Sequence, residues 1–316
     1  MKIFRSPDAV PAGFGPSVVT IGNFDGVHLG HRLIMRRVVA LARETKCTPT
    51  VLTFDPHPAQ VLAPDRAPKL LMTVDQRVRA MQSEGIEAVL LIPFSMEFAA
   101  LTPEQFAEQI LTRTLHANAI LVGEDFRFGC KQAGSIHTLR ELGERLGFRV
   151  EPIPGIARNG ERISSTQVRA LITNGQVSRA CRLLGEPFTL EGNVVRGHGI
   201  GSKQTVPTLN LAPESEVMPK TGVYVTRTCD LGSSREWRSI TNVGYRPTFD
   251  GTGLTIETFL LDPLTGESPQ RIAVRFLTFI RDERRFESPE ALKSQIMRDI
   301  RVAERLHRRL VNYRVG

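Results

Sequence analysis

Long apolar runs are missing from this chain. It has no stretch of about eighteen apolar residues, which a helix needs to cross a bilayer, and its start lacks the charged-then-apolar order of a signal peptide. A membrane helix is therefore excluded, and a soluble protein retained in the cytoplasm is expected. Cysteine is scarce: Cys47, Cys130, Cys181 and Cys229 are scattered without metal-ligand or redox spacing, which excludes a disulfide scaffold and points to reduced thiols. Aromatic residues of the polar kind are few, with one Trp and three Tyr. That, with no nucleic-acid motif, excludes the basic face interleaved with aromatics that an RNA- or DNA-binding protein presents. Internal repeats and low-complexity segments are also absent.

What remains is a basic chain of 316 residues, long for one core and suited to two domains. Forty-one Lys and Arg against 33 Asp and Glu give a net charge of +8, which suits anionic partners. Arg301, Arg305, Arg308 and Arg309 in the final helix read as a solvated face.

The most informative segment is Gly22-Asn23-Phe24-Asp25-Gly26-Val27-His28-Leu29-Gly30-His31. Ser17–Ile21 before it reads as a buried parallel strand; Leu33, Ile34, Val38, Leu41 and Ala42 after it recur at helical spacing. His31 then sits in the first helical turn and His28 just before it. Backbone N–H groups without intrahelical partners, together with the helix dipole, favour an anion there. The glycines permit close backbone approach, and two imidazoles can donate to phosphate oxygens as charge builds. The pattern indicates a triphosphate site.

Strand and helix signals alternate through the first half, predicting a parallel sheet with helices on both faces. Strands are expected at 48–54, 88–92 and 119–123. Thr73 with Gln76, and Thr102 with Pro103 and Gln105, are capping signals for two helices, the second running through Leu115. A hairpin is expected at Arg158–Glu161, and a helix capped by Ser164-Ser165-Thr166 follows it. Near Gly185-Glu186-Pro187 the texture changes to short alternating runs and Gly/Pro turns. Strands at 194–195, 223–225, 240–243, 256–261 and 272–276 predict a small antiparallel barrel. A final helix from Ser288-Pro289, with Leu292, Ile296, Ile300 and Ala303 in one stripe, should pack on its flank. The expected domains are 1–185 and 186–316.

Three further motifs leave strands or open helices in the first half. Phe54-Asp55-Pro56-His57-Pro58 is a stiff, flat run at the carboxyl edge of the sheet. Val122–Gly129 offers Asp125, Arg127, Phe126 and Phe128, able to hold a nucleotide by hydrogen bonds and a ring by stacking. Ser164-Ser165-Thr166-Gln167-Val168-Arg169 places hydroxyls and a guanidinium at a helix start.

The His-x-Gly-His segment resembles the nucleotidyltransferase signature, and the four motifs in order resemble the N-terminal module of prokaryotic bifunctional riboflavin kinase/FAD synthetases. The resemblance implies an α/β plus β protein: a Rossmann-like nucleotidyltransferase domain, then a riboflavin-kinase-type barrel with a closing helix. It implies that His28, His31 and Arg169 act on the reacting phosphates. It further implies that Gly22, Asn23, Phe24, Asp25, Asp125, Arg127, Ser164 and Thr166 hold nucleotide, and that Phe54, Pro56, Pro58, Phe126 and Phe128 hold flavin.

In the second half, the glycine-dense run 192–201, Pro207-Thr208-Leu209-Asn210-Leu211, Gly222-Val223-Tyr224, Asn242–Phe249 and Glu257-Thr258 resemble the kinase module in order. Read alone, the glycines can cradle phosphate while the Thr208 hydroxyl and Asn210 carbonyl suit Mg²⁺ with waters, or the run is a β-turn loop with a polar pair. By resemblance, Glu257 is the general base on the flavin's ribityl hydroxyl. Thr208 and Asn210 take Mg²⁺ with ATP, Gly197, Gly201 and Lys203 hold nucleotide, and Arg281 contacts flavin. The chain departs from the family at Ser202-Lys203-Gln204-Thr205, where Arg-x-Leu-Gly is usual, at Leu209 in place of alanine and at Phe259 in place of histidine. Lys203 can supply the missing positive charge, without arginine's fork.

The implied activity is riboflavin to FMN and then FMN to FAD, with ATP as co-substrate and Mg²⁺ at both sites. Riboflavin, FMN, FAD and ATP are the expected partners, with neither nucleic acid nor membrane. The alternative is a nucleotidyltransferase for another phosphorylated acceptor with a weak or inactive kinase-like domain. Nothing in the sequence sets the oligomeric state.

Overall fold

In the computed structural model of the chain, the described residues are 1–155, 157–158, 161–195, 208–233, 235–248, 251–284 and 286–312. Contacts divide the chain into two compact units, Met1–Ser165 and Thr166–Gly316.

The first unit runs β1 (Lys2–Phe4), β2 (Ser17–Ile21), α1 (Leu29–Thr45), β3 (Thr48–Phe54), α2 (Pro58–Leu62), α3 (Val74–Ser83), β4 (Ala88–Ile92), α4 (Met96–Ala99), α5 (Pro103–Phe106), β5 (Ala117–Gly123), α6 (Ile136–Leu146) and β6 (Arg149–Ile153), then the hairpin β7 (Ala157–Arg158) and β8 (Glu161–Arg162). The six-stranded sheet has the order β1-β4-β3-β2-β5-β6, and every pair in it is parallel. Side chains alternate between its faces. Val19, Ile21, Leu52, Leu90, Ile120 and Val122 pack with Ile110, Leu111, Leu139 and Leu142, whereas Val18, Val51, Val89, Ala119 and Leu121 pack with Met35, Val38, Ala42 and Met81. Burial on both faces accounts for the nearly continuous apolar strands. Chain direction across the sheet reverses between β2 and β5, so the loops leaving these strands flank the crevice where such sheets bind ligands.

The expected capping boxes form. Gln76 accepts from Thr73 N at 2.9 Å while Thr73 accepts from Gln76 N at 3.3 Å, and Thr102 and Gln105 do the same at 2.9 and 3.2 Å. The helix expected to reach Leu115 changes character: after Phe106 it widens into a π-helical stretch, Ala107–Thr114. The wider turn holds Ile110, Leu111 and Leu115 all against the sheet. Strands β1 and β6 and helix α6 add to the expected elements.

The second unit contains α7 (Ser165–Thr173), which begins at the boundary, α8 (Val177–Leu184), β9 (Phe188–Val195), β10 (Thr208–Pro213), β11 (Gly222–Asp230), β12 (Glu236–Thr248), β13 (Gly251–Leu260), β14 (Arg271–Arg281) and α9 (Pro289–Asn312). The strands close into an antiparallel barrel in the order β10-β13-β12-β11-β14-β9. Strand β10 occupies the run that reads as a turn: Leu209 and Leu211 face the interior while Thr208 and Asn210 alternate to the other side. Inside, a chain of hydroxyls links Thr228 to Ser239, Thr226, Thr241 and Thr258, with spacings of 2.8 to 2.9 Å. All five are fully buried, so each must find its partner within the barrel. On the flank, Ile300, Ala303 and Leu306 of α9 cover Val223, Val225 and Ile240, as the apolar stripe predicts. The compact units meet at Ser165 and Thr166, ahead of the composition change at 185, and α8 packs on β9 and β14.

Gly192 lies at the barrel's closing seam, paired with Pro213 of β10 and Ile272 of β14. A Cβ there would lie 1.8 Å from the carbonyl oxygen of Ala212. Gly192→Ala should therefore cost the barrel about 1–3 kcal/mol. The single tryptophan, Trp237, is buried in β12. Its fluorescence during urea unfolding should report the loss as an earlier midpoint, and an unmoved midpoint would mean that the seam yields.

Two candidate active sites

The loop from β2 to α1 forms the first site. His28 is the N-cap of α1, and its Nδ1 accepts from the backbone N–H of His31 at 3.3 Å. That bond leaves the proton of the neutral ring on Nε2. The two imidazoles stack with centroids 3.7 Å apart and planes 16° apart, and Phe24 meets His31 edge-on at 5.1 Å. Gly30 makes room for this: a Cβ there would lie 3.1 Å from Cε1 and Nδ1 of His28. Burial lowers the pKa of His28 to about 4, against the opposing pull of a backbone hydrogen bond. His31 is pushed well below its usual range by burial and by the neighbouring imidazole. Its Nδ1 is buried without a partner among the described residues. At neutral pH the site therefore offers two uncharged donors, not two cations.

The backbone here is strained. Phe24, Gly26 and Val27 have φ of 49°, 83° and 35°, and a β-branched residue in that region costs on the order of 1–3 kcal/mol. The surroundings hold it in place. Arg32 donates to Val27 O at 3.0 Å and is itself anchored on Glu84 at 2.6 Å. The carboxylate of Asp25, 2% exposed, accepts from Leu71 N at 2.9 Å and Met72 N at 3.2 Å. Its carbonyl accepts from Ser165 Oγ at 2.8 Å, which ties Ser165 to the histidine loop. Asp25, expected at the nucleotide, thus has its side chain turned to the protein's own main chain.

At the end of β3, Pro58 is the first residue of α2, and His57 caps that helix in a reciprocal box with Gln60. Pro56 is exposed and Phe54 half-buried. A ladder of rings runs on from Phe54: Phe94 at 5.5 Å and Phe98 at 6.1 Å, then Phe106, Phe128 and Phe126 at 6.1, 5.8 and 5.6 Å in turn. Phe128 is buried among core side chains, while Phe126 is half-buried and stacked on it at 11°. Asp125 and Arg127 are exposed at the end of β5, and Ser164 is half-buried. Phe94 and Phe98 escape the sequence reading, although the end of β4 is equivalent to the ends of β3 and β5. Thr166, exposed, and Arg169, half-buried, belong to the second unit.

The second site is on the barrel. Register places Glu257 of β13 directly between Asn210 of β10 and Asn242 of β12, with Thr208 opposite Phe259. Glu257 is nearly buried, 9% exposed, while Asn210, Asn242 and Thr208 are half-buried. Asn242 opens the Asn242–Phe249 motif, and strand pairing sets it beside Glu257. Arg281 is engaged with α9: its guanidinium donates to Asp299 at 2.8 to 3.2 Å and lies over Phe286. It therefore ties the closing helix to β14. Gly197, Gly201 and Lys203 lie outside the described residues.

The two units, one a parallel α/β sheet whose β2–α1 loop carries two stacked imidazoles and the other a closed barrel with a carboxylate between two asparagines, have the folds of a nucleotidyltransferase and a flavin kinase. The FAD synthetase family model matches residues 12–167 and the riboflavin kinase model residues 184–307. The bifunctional riboflavin kinase/FMN adenylyltransferase of Escherichia coli (strain K12) is 36% identical over 282 residues, 89% of this chain and 90% of that protein. Its namesake in Pseudomonas fluorescens is 37% identical over 290 residues, 92% of each chain. A crystal structure described as a macrolide-efflux protein of Streptococcus pneumoniae superposes with a TM-score of 0.86 and 29% identity, covering 96% of this chain and 98% of that one. The chain belongs to the bifunctional riboflavin kinase/FMN adenylyltransferase family. Among the described residues no helix is long and apolar enough to cross a membrane.

The histidine pKa values have a consequence for stability. Between pH 6.5 and 4 the unfolded chain binds the proton at position 28 and the folded chain does not, so stability falls with pH across that window. From pH 6.5 to 5, His28 should contribute a loss of about 2 kcal/mol, and His28→Gln should lose that much less. Urea titrations of both proteins at the two pH values check this, and equal slopes would mean that His28 titrates normally.

Proposed function

We propose that the chain carries out two ATP-dependent transfers in succession. Riboflavin and ATP give FMN and ADP on the barrel; FMN and ATP give FAD and pyrophosphate in the α/β unit. The observation that carries this reading is that each half of the chain is matched by its own family model, FAD synthetase over residues 12–167 and riboflavin kinase over residues 184–307. The functional division is placed at 185/186. The alternative, a transferase for another acceptor with an idle kinase-like domain, is disfavoured by the pairing of Glu257 with Asn210 and Asn242.

In the α/β unit an FMN phosphate oxygen attacks the α-phosphorus of ATP, and the bond to the bridging oxygen breaks as pyrophosphate leaves. Nε2–H of His28 and the imidazole of His31 donate to oxygens that gain charge in this displacement. Gly22, Asn23, Phe24, Asp125, Arg127, Ser164, Thr166 and Arg169 are assigned to the nucleotide. Phe54, Pro56, Pro58 and Phe126, joined by Phe94 and Phe98, are assigned to the flavin ring. Asp25 shapes the loop.

On the barrel Glu257 accepts the proton of the ribityl hydroxyl as that oxygen attacks the γ-phosphorus. The hydroxyl of Thr208 and the amide oxygen of Asn210, on the carboxylate's own face, form a hard-oxygen set that fits Mg²⁺. When bound, the ion neutralises phosphate charge. Gly197, Gly201 and Lys203 are assigned to the phosphates. We assign the enzyme to the cytoplasm, a reading that its free thiols and its demand for ATP in both steps support.

Variants separate the two reactions. His28→Ala and His31→Ala should each lower FAD formation from FMN by roughly 10²-fold and leave FMN formation intact. Glu257→Gln should do the reverse, lowering FMN formation by about 10²- to 10⁴-fold. Chromatography of flavins after incubation with ATP and Mg²⁺ reads both. Variants that impair both activities equally would contradict the division.

A further inference from the structure

The first unit buries a cation that no motif contains. Arg77 lies on α3 with 2% of its surface exposed. Its Nη1 donates to Asn23 O at 2.9 Å and to Thr53 Oγ1 at 3.4 Å, and both Nη atoms donate to Phe54 O, at 3.4 and 3.3 Å. Thr53 Oγ1 in turn donates to Asn23 O at 3.3 Å. One guanidinium therefore grips the main chain of two loops, the one leaving β2 and the one leaving β3. Burial lowers its pKa, and the carboxylates of Asp25 and Asp55 oppose that shift. The residues just before α3 hold the first loop as well, through Leu71 N and Met72 N on Asp25.

Burying an arginine is expensive unless its donors are used. Here the two Nη atoms are spent on carbonyls of Asn23 and Phe54, the residues at which the nucleotide loop and the flavin loop begin, while Nε is buried without a partner among the described residues. Nη1 reaches both carbonyls and Nη2 adds a second bond to Phe54 O, a fixed planar geometry that the single nitrogen of a lysine ammonium does not reproduce. We infer that Arg77 is a positioning residue for adenylyl transfer, setting the separation between the loop that holds ATP and the loop that holds FMN. The inference rests on the functional reading above. Its physical basis is that an in-line displacement tolerates little misplacement of its two reactants, an error of about 1 Å costing on the order of 10²-fold. At 2% exposure Arg77 touches neither substrate, so its effect has to pass through the two carbonyls.

The test uses the full chain with Arg77→Met, Arg77→Lys and Thr53→Val, assayed for FAD formation from FMN over a matrix of ATP and FMN concentrations, well below the unfolding temperature of each variant. Arg77→Met should lower kcat by about 10- to 100-fold and raise KM for both substrates together, Arg77→Lys should fall between it and the wild type, and Thr53→Val should lose less than either. FMN formation from riboflavin should not change, which reports folded enzyme independently. A merely structural arginine would lower thermal stability but leave kcat and both KM values, per folded molecule, at wild-type levels; that result overturns the inference. If Arg77→Met does not fold, Arg77→Lys and Thr53→Val decide by the same criteria. A wild-type protein that makes no FAD from FMN would instead overturn the functional reading.

Discussion

The turn between β2 and α1 places Phe24, Gly26 and Val27 in left-handed backbone, and a valine there has no intrinsic reason to stay. It stays because Arg32, the buried carboxylate of Asp25 and Ser165 act on it from three directions. Stacking of His28 on His31 follows from that turn, and the absence of a side chain at Gly30 leaves room for the His28 ring. Strain offset by surrounding hydrogen bonds is a recurrent means of holding reactive groups in one geometry. Here it holds two buried imidazoles stacked at the start of α1.

The barrel meets a different constraint. Its interior carries five linked hydroxyls beside aromatic and aliphatic side chains, and each of them is a liability unless paired. Alternation along β13 puts Thr258 into that chain and turns Glu257 to the opposite face, between two asparagines. A one-residue slip in register would exchange them. Interior hydroxyl pairing thus fixes the register that presents the carboxylate.

Much of this was legible in the sequence because local chemistry and global packing agree. Capping boxes at Thr73 and Thr102, buried β-branched strands and the stripe on α9 all form as the residues suggest. Strand β10 was not, because its polar alternate positions, Thr208 and Asn210, follow a proline and resemble a turn until Glu257 pairs with them. Asp25 and Arg281 were legible as residues of functional motifs, but their partners, the N–H groups of Leu71 and Met72 and the carboxylate of Asp299, are far away in the chain. Arg77 left a fainter trace. It lies four residues before Met81 on the apolar face of α3, where a cation is out of place unless it has work inside.

The account turns on the protonation of the helix-start histidines. Nitrogen-15 NMR of the imidazoles in the full chain measures it directly. The account predicts that at pH 7 His28 is neutral, with its proton on Nε2, and that it titrates near pH 4. A His28 that carries charge at pH 6, or that holds its proton on Nδ1, would contradict the account.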